Sequence, residues 1–175
     1  RQPSTIRIWA RDYKKAEEYI KEVSPTINGN FINCKSPKDV TENSNILITT
    51  TPSTTPLIQH EWLHKGLHIT AMGSDAEHKN ELDPRIIQIC DLYVADRQSQ
   101  TSILGELHHA IKANLVSEEK KFTELGDVIG KKDKGRSSED QITVCDLTGT
   151  GVQDTAIARY AFEIAMRNNL GLQLN

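Results

Sequence analysis

Along nearly its whole length this chain alternates short β-rich apolar runs with amphipathic stretches of helical period. Strands separated by helices pair in parallel through crossovers, and the helices then cover the faces of one sheet. Residues 5–10 read as a strand and Asp12 as the cap of the next helix, in which Tyr13, Ala16, Ile20 and Val23 share a face before Pro25 ends it. A strand at 31–34, a brief helix at 37–40 and a buried strand at 45–50 follow. Pro52, Ser53 and Pro56 hold off any helix until about Leu57, so a polar loop follows a central strand. A short helix at 59–63, a turn at Gly66 and a strand at 68–72 lead into Gly73-Ser74-Asp75. Then come a helix at 84–89, a strand at 92–95, and a helical stripe of Ile103, Leu104, Leu107 and Ile111. Residues 117–140 read as a polar loop with one short helix, and a strand at 141–146 precedes the closing helix. That last helix is apolar almost all round, which predicts packing against more than one surface.

Composition narrows the class. With 175 residues, 37% of them hydrophobic and 26% charged, the chain is sized for one globular domain. No apolar run approaches the roughly 20 residues of a spanning helix, and the first residues carry no secretory pattern, so no membrane partner is expected. The basic cluster Lys131, Lys132, Lys134 and Arg136 is interrupted by Asp133 and flanked by glycines. It reads as a solvated loop, and no nucleic-acid partner is expected. Cys34, Cys90 and Cys145 are distant and odd in number, which fits free thiols in a reducing, cytoplasmic setting.

Four motifs carry possible chemistry. His60-Glu61-Trp62-Leu63-His64 matches the zinc-protease pattern, but it is confined between Pro56 and Gly66, is followed by a strand and has no third ligand, so no metal site is expected. Gly149-Thr150-Gly151 opens a helix after a strand, where backbone N–H groups could face an anion. Asp154 stands where a dinucleotide fingerprint wants a small residue, which leaves a plain turn or a secondary nucleotide contact. Arg11 and Asp12 end the first strand, where a doubly wound domain places an arginine for the 2′-phosphate of NADP or an acid for the ribose of NAD; taken alone, a surface charge and a helix cap are the simpler reading. Finally, the strand through Thr70, Ala71 and Met72 runs into Asp75, with Lys79 close behind, at the strand end where open α/β sheets bind ligands.

Taken together, Thr49-Thr50-Thr51-Pro52-Ser53, the stretch 66–75 (GLHITAMGSD), Lys79-Asn80-Glu81-Leu82 and the stretch 140–154 (DQITVCDLTGTGVQD) resemble the ornithine cyclodeaminase / mu-crystallin family, most closely its cyclodeaminase-like members from ectoine-utilisation clusters. The resemblance covers essentially the whole chain. It implies an α/β fold, a Rossmann-type doubly wound, mainly parallel sheet lacking its first strand and Gly-rich loop. Residues 1–150 would form the NAD(P)-binding domain, and 151–175 a helix packing back toward a substrate and dimerisation domain outside this chain. By motif, Asp75 takes the place of the catalytic aspartate and Lys79 that of a cofactor-contacting lysine. Thr70, Ala71 and Met72 lie beside the nicotinamide, and Thr50, Thr51 and Ser53 border the cofactor. Arg11 tilts the choice of NAD or NADP toward NADP, with Asp12 keeping NAD open. Two departures stand out: Ala76-Glu77-His78 replaces a common Pro-Gly, and Leu147 replaces a cofactor-binding serine whose hydroxyl Thr148 would supply. The implied enzyme is a homodimer acting on an amino acid or imine by hydride transfer at the α-carbon, with ammonia loss in cyclodeaminases; the alternatives are an amino-acid dehydrogenase or ketimine reductase of the same family, or a non-catalytic nucleotide-binding protein. The chain by itself would be inactive.

Overall fold

The computed structural model describes residues 2–172. In chain order the elements are β1 (Thr5–Ile8), α1 (Tyr13–Val23), β2 (Asn30–Asn33), α2 (Pro37–Glu42), β3 (Ile46–Thr49), a 3₁₀ turn (His60–Trp62), β4 (His68–Ala71), α3 (Arg85–Ile89), β5 (Leu92–Ala95), α4 (Gln98–Thr101), α5 (Glu106–Lys112), β6 (Thr123–Glu124), α6 (Leu125–Ile129), β7 (Thr143–Asp146) and α7 (Gly151–Arg167). Local chemistry fixes several boundaries. The Asp12 carboxylate accepts from the Lys14 N–H at 3.0 Å and starts α1, and the Ser36 hydroxyl accepts from the Asp39 N–H at 3.1 Å, with Pro37 opening α2.

Every strand pairing is parallel. β1 pairs with β2, and a five-stranded sheet runs in the order β3-β4-β7-β5-β6. Parallel pairing follows from the helical crossovers, which return each strand in the same direction. The register sets Thr49, Ala71, Asp146 and Ala95 side by side at the carboxyl ends of β3, β4, β7 and β5. On one face Leu47, Ile69, Ala71 and Val144 are buried against Ile86 and Ile87 of α3 and Leu107 and Ala110 of α5. Each fully buried Leu or Ile contributes about 1.5–3 kcal/mol, so this layer holds the sheet. On the other face Ile46 and Ile48 remain 62% and 61% exposed.

Among the described residues β1 has β2 as its only ladder partner and β3 has β4. The two free edges border one groove of about 580 Å³, lined by residues 2–7 from the β1 side and 43–48 from the β3 side. α7 buries none of its residues, and Val152, Ile157, Tyr160 and Phe162 along it are all exposed. No helix of the described residues is long and apolar enough to cross a membrane. The parallel pairing is what the β/α alternation predicts, although the strands fall in two sheets rather than one, and the arrangement is the Rossmann-type α/β fold that the family resemblance implies.

Three details differ from the sequence expectations. The apolar stripe from Ile103 to Ile111 is not one helix. Gly105, at φ +94°, separates α4 from α5, and Ile103 is left exposed. The stretch 117–140 contains a two-residue strand, β6, which pairs with β5 at the sheet edge; so short a run leaves no periodicity to read. The helix expected at 59–63 is only a 3₁₀ turn of three residues.

Gly105 is required on two counts: its left-handed backbone, and the space a side chain would need. A Cβ there would sit 2.7 Å from Thr148 Cγ2 and 3.2 Å from both Asp146 carboxylate oxygens. Gly105→Ala should therefore cost about 2–4 kcal/mol in urea unfolding, from left-handed strain plus overpacking. A loss below about 0.5 kcal/mol would show that the α4–α5 corner relaxes freely.

Candidate functional site

The ladder continues past the strand ends, because the Met72 N–H donates to the Thr49 carbonyl at 2.9 Å and the Leu147 N–H to the Ala71 carbonyl at 2.8 Å. The loops after β3, β4 and β7 therefore leave the sheet next to one another, at the edge where parallel sheets bind ligands. The loop after β4 carries Asp75 and Lys79. The Lys79 ammonium donates to Asp75 Oδ1 at 2.5 Å, and this hydrogen bond, with the lysine's charge, holds the exposed Asp75 carboxyl below its ordinary range. Asp75 is a carboxylate at neutral pH, half in solvent, with a movable cation on it.

The same loop is laced to the one after β3. The Asn80 N–H donates to the Ser53 carbonyl at 2.8 Å, and the Leu57 and Ile58 N–H groups donate to the Glu81 carbonyl at 2.7 and 3.0 Å. Within the β3 loop the Ser53 N–H donates to the Thr51 hydroxyl at 3.3 Å. The structure thus brings Thr50, Thr51, Ser53, Met72, Asp75 and Lys79 to one edge. Met72 is 47% exposed there. The Ala71 side chain is buried in the core, so only its backbone borders the edge. Thr70 lies one residue back, its hydroxyl 3.2 Å from His68 Nε2.

Three other expected residues, Arg11, Asp12 and Thr148, stand in the loops after β1 and β7. Arg11 is exposed just beyond β1, on the two-stranded sheet, and Asp12 beside it spends its carboxylate on capping α1. Thr148 is buried. Its hydroxyl donates to Asp96 Oδ1 at 3.0 Å and accepts from Gln100 Nε2 at 3.0 Å, and its N–H donates to Asp96 Oδ2 at 2.8 Å. The Gly149 N–H also donates to Asp96, at 3.0 Å, and the Thr150 N–H to Gln153 Oε1 at 3.1 Å. This turn therefore turns its amides inward, and any ligand contact through Thr148 must compete with Asp96.

Sequence reasoning missed three buried carboxyl groups beneath the edge. Glu81 Oε2 accepts from the Thr49 hydroxyl at 2.5 Å and the Gly73 N–H at 2.9 Å, while Oε1 accepts from the Thr51 N–H. Glu106 accepts from the Ser74 hydroxyl, the Glu81 and Leu82 N–H groups and the Asn80 amide. Asp146 Oδ2 accepts from the Tyr93 hydroxyl at 2.7 Å and from the Glu106 and Leu107 N–H groups at 2.9 and 3.1 Å, and its Oδ1 is buried without a partner. Burial and the neighbouring acid Glu81 push Glu106 up to about 7, despite the bonds from Ser74, Glu81 and Leu82. Burial and Glu106 push Asp146 up to about 8. Burial and Asp146 also raise the Tyr93 phenol. The available signal was a charged residue, Glu106, lodged between Leu104 and Leu107 in an apolar stripe.

The HEWLH motif resolves into separate contacts. His60 Nδ1 lies 3.0 Å from Asp83 Oδ2, whereas His64, outside the 3₁₀ turn, places Nε2 3.3 and 3.1 Å from the Thr41 and Ser44 carbonyls. His60, Glu61 and Asp83 do cluster, with ligand-type atoms within 4.8 Å of one another. The cation they hold is Arg85, whose Nε and NH2 donate to Asp83 Oδ2 at 3.0 and 2.7 Å. Burial raises the Asp83 carboxyl, but hydrogen bonds from Arg85 and His60 outweigh it and bring it to about 2.

Parallel strands gathering their loops at one carboxyl edge define a Rossmann-type α/β domain. The family model described as the ornithine cyclodeaminase/mu-crystallin family matches residues 2–169, and the chain belongs to that family. An uncharacterized cyclodeaminase of Sinorhizobium fredii is 49% identical over 165 residues, covering 94% of this chain and 50% of that protein. An archaeal alanine dehydrogenase dimer with bound NAD superposes with a TM-score of 0.84 at 28% identity, covering 98% of this chain and 52% of that one. The iminosuccinate reductase of Paracoccus denitrificans in complex with NAD+ gives 0.86 at 26% identity, again over 98% and 52%. The chain spans about half the length of the curated relatives it matches.

The raised carboxyl groups make stability depend on pH in a definite direction. Folded values of about 7 for Glu106 and about 8 for Asp146 exceed the ordinary 4.5 and 3.8, so the folded state holds more protons between about pH 4 and 8. Their contribution is complete below that window and is lost as pH rises through it. Thermal unfolding should give a higher Tm at pH 5 than at pH 8.5. Asp146→Asn, which keeps an acceptor and loses the charge, should flatten that slope. An unchanged slope in the variant would mean that Asp146 does not titrate with folding.

Proposed function

We propose that the chain is the nucleotide-binding half of an NAD(P)-dependent enzyme of the cyclodeaminase type that processes an amino acid or its imine. The observation that carries this reading is the Asp75–Lys79 pair on the β4 loop, 2.5 Å apart and laced through Asn80 to the loop of Thr50, Thr51 and Ser53. When bound, nicotinamide supplies or takes the hydride at the substrate α-carbon. Asp75, ionised and half in solvent, accepts or returns the proton of the substrate nitrogen or of water. Lys79 holds Asp75 charged until it turns to an anionic group, which frees the carboxylate to take a proton. Met72 and the backbone of Ala71 border the ring, Thr70 supports that strand end, and Thr50, Thr51 and Ser53 flank the cofactor. Arg11 reaches a 2′-phosphate, which favours NADP, while Asp12 or Thr148 takes part only by leaving α1 or Asp96 respectively.

In the same reading residues 1–150 form the cofactor domain and α7 packs its exposed apolar side on a substrate and dimerisation domain. A further parallel strand, followed by a Gly-rich turn, fills the groove between β1 and β3. The three cysteines are free, in keeping with a cytoplasmic enzyme. The likeness to an alanine dehydrogenase and an iminosuccinate reductase favours, as a second reading, a simple dehydrogenase or imine reductase without ring closure.

The test uses the full-length polypeptide that contains these residues. It should bind NADH or NADPH by fluorescence and turn over an amino acid or a cyclic imine, followed at the nicotinamide absorbance. Asp75→Asn should lower kcat by about 100-fold or more with nucleotide affinity within about threefold. Arg11→Ser should reduce the NADPH-to-NADH affinity ratio about tenfold. Failure to bind either nucleotide would overturn the enzyme reading, and binding without turnover would leave a nucleotide-binding protein.

A further inference from the structure

We infer that Glu106 is the positioning residue for the Asp75 loop: its buried carboxylate clamps both ends of the segment that carries Asp75 and Lys79, and so sets where the reacting carboxylate stands. The inference rests on the functional reading given for Asp75. Glu106 opens α5 and is 1% exposed. Oε1 accepts from the Ser74 hydroxyl, immediately before Asp75, and from the Glu81 N–H at 2.9 Å. Oε2 accepts from Asn80 Nδ2 at 2.8 Å, immediately after Lys79, and from the Leu82 N–H at 3.1 Å. Each oxygen thus receives two donors, and together the donors flank residues 75–79, of which Asp75, Glu77 and His78 are exposed, on both sides.

The clamp is itself held. Asp146, at the end of the central strand, accepts from the Glu106 and Leu107 N–H groups and fixes the start of α5. One turn further along that helix, His109 Nε2 lies 2.7 Å from the Lys79 carbonyl, so α5 touches the loop at a third point. Glu81 does the complementary task, joining Gly73 to Thr49 and Thr51. Among the described residues no lysine or arginine reaches Glu106, and the acids near it, Glu81 and Asp146, oppose its charge. A carboxylate so placed is retained for the donors it gathers, since burying it without them would be strongly unfavourable. Asp75 itself faces Lys79 and His78, so its titration reports whether the loop keeps Lys79 in place.

Glu106→Gln is the informative variant, because the amide keeps one acceptor and turns two N–H donors toward donors already there. In the full-length protein kcat should fall about 100-fold with nucleotide affinity within about threefold, as expected for a displaced reacting group. The acidic limb of the kcat/KM profile should move up toward an ordinary carboxylate as Lys79 leaves Asp75. Amide hydrogen exchange at Gly73, Glu81 and Leu82 should quicken by at least tenfold over wild type. A stability loss without positional effect would leave the acidic limb where it is, and that result overturns the inference. Unchanged exchange overturns it as well. If Glu106→Gln does not fold, Ser74→Ala and Asn80→Ala, each removing one donor, should show the same limb shift in smaller measure. Wild-type protein without turnover would sink the functional reading alone, and the exchange data would then decide the clamp by themselves.

Discussion

Everything in this fold hangs on the position of β7. The last strand in the chain lies in the middle of the five-stranded sheet, hydrogen-bonded to β4 on one side and β5 on the other. Until it enters, β4 and β5 have no common neighbour and their loops have no shared edge. Its final residue, Asp146, reaches across to Tyr93 and to the start of α5, so one strand fixes both the sheet order and the helix that carries Glu106. Pairings this distant in sequence close large loops before they are rewarded, which makes their formation a late and cooperative event.

From β7 outward the structure is built in layers of increasing polarity and exposure. Apolar packing of Leu47, Ile69 and Val144 against α3 and α5 holds the sheet. Above it lies a polar floor of Glu81, Glu106, Asp146 and Tyr93, satisfied mostly by backbone N–H groups and by short side chains. Above that floor Asp75 stands in solvent, with the half-buried Lys79 against it. Such an order leaves the Asp75 carboxylate half in solvent while the backbone on either side of its loop is tied.

Much of this was legible in the residues. The alternation of β and α segments predicted the parallel pairing, and the carboxyl-edge rule pointed to the edge where the loops of Thr50 to Ser53 and of Asp75 meet. The α1 cap at Asp12 was equally plain. What could not be read shares one cause, long-range contact. Gly105 breaks a stripe that looks continuous because its backbone must pass against Asp146 and Thr148, some forty residues on. Glu106 is a surface residue by composition and a core residue by topology. Thr148 has the right hydroxyl for a ligand, yet Asp96 takes it, and nothing near Thr148 in sequence announces Asp96. The HEWLH pattern shows the converse: a five-letter match dissolves because Gly66 and Pro56 leave room for only a 3₁₀ turn.

The groove between β1 and β3 has a consequence for association. Two free strand edges already face one another across it, each with its main-chain donors and acceptors unspent. An extended segment entering there completes two ladders in a single event, whereas an ordinary sheet edge offers one. The gain is cooperative, because one guest strand would pair with both walls. Unpaired edges of this kind are general templates for pairing with an extended chain, so covering this groove removes two such edges at once.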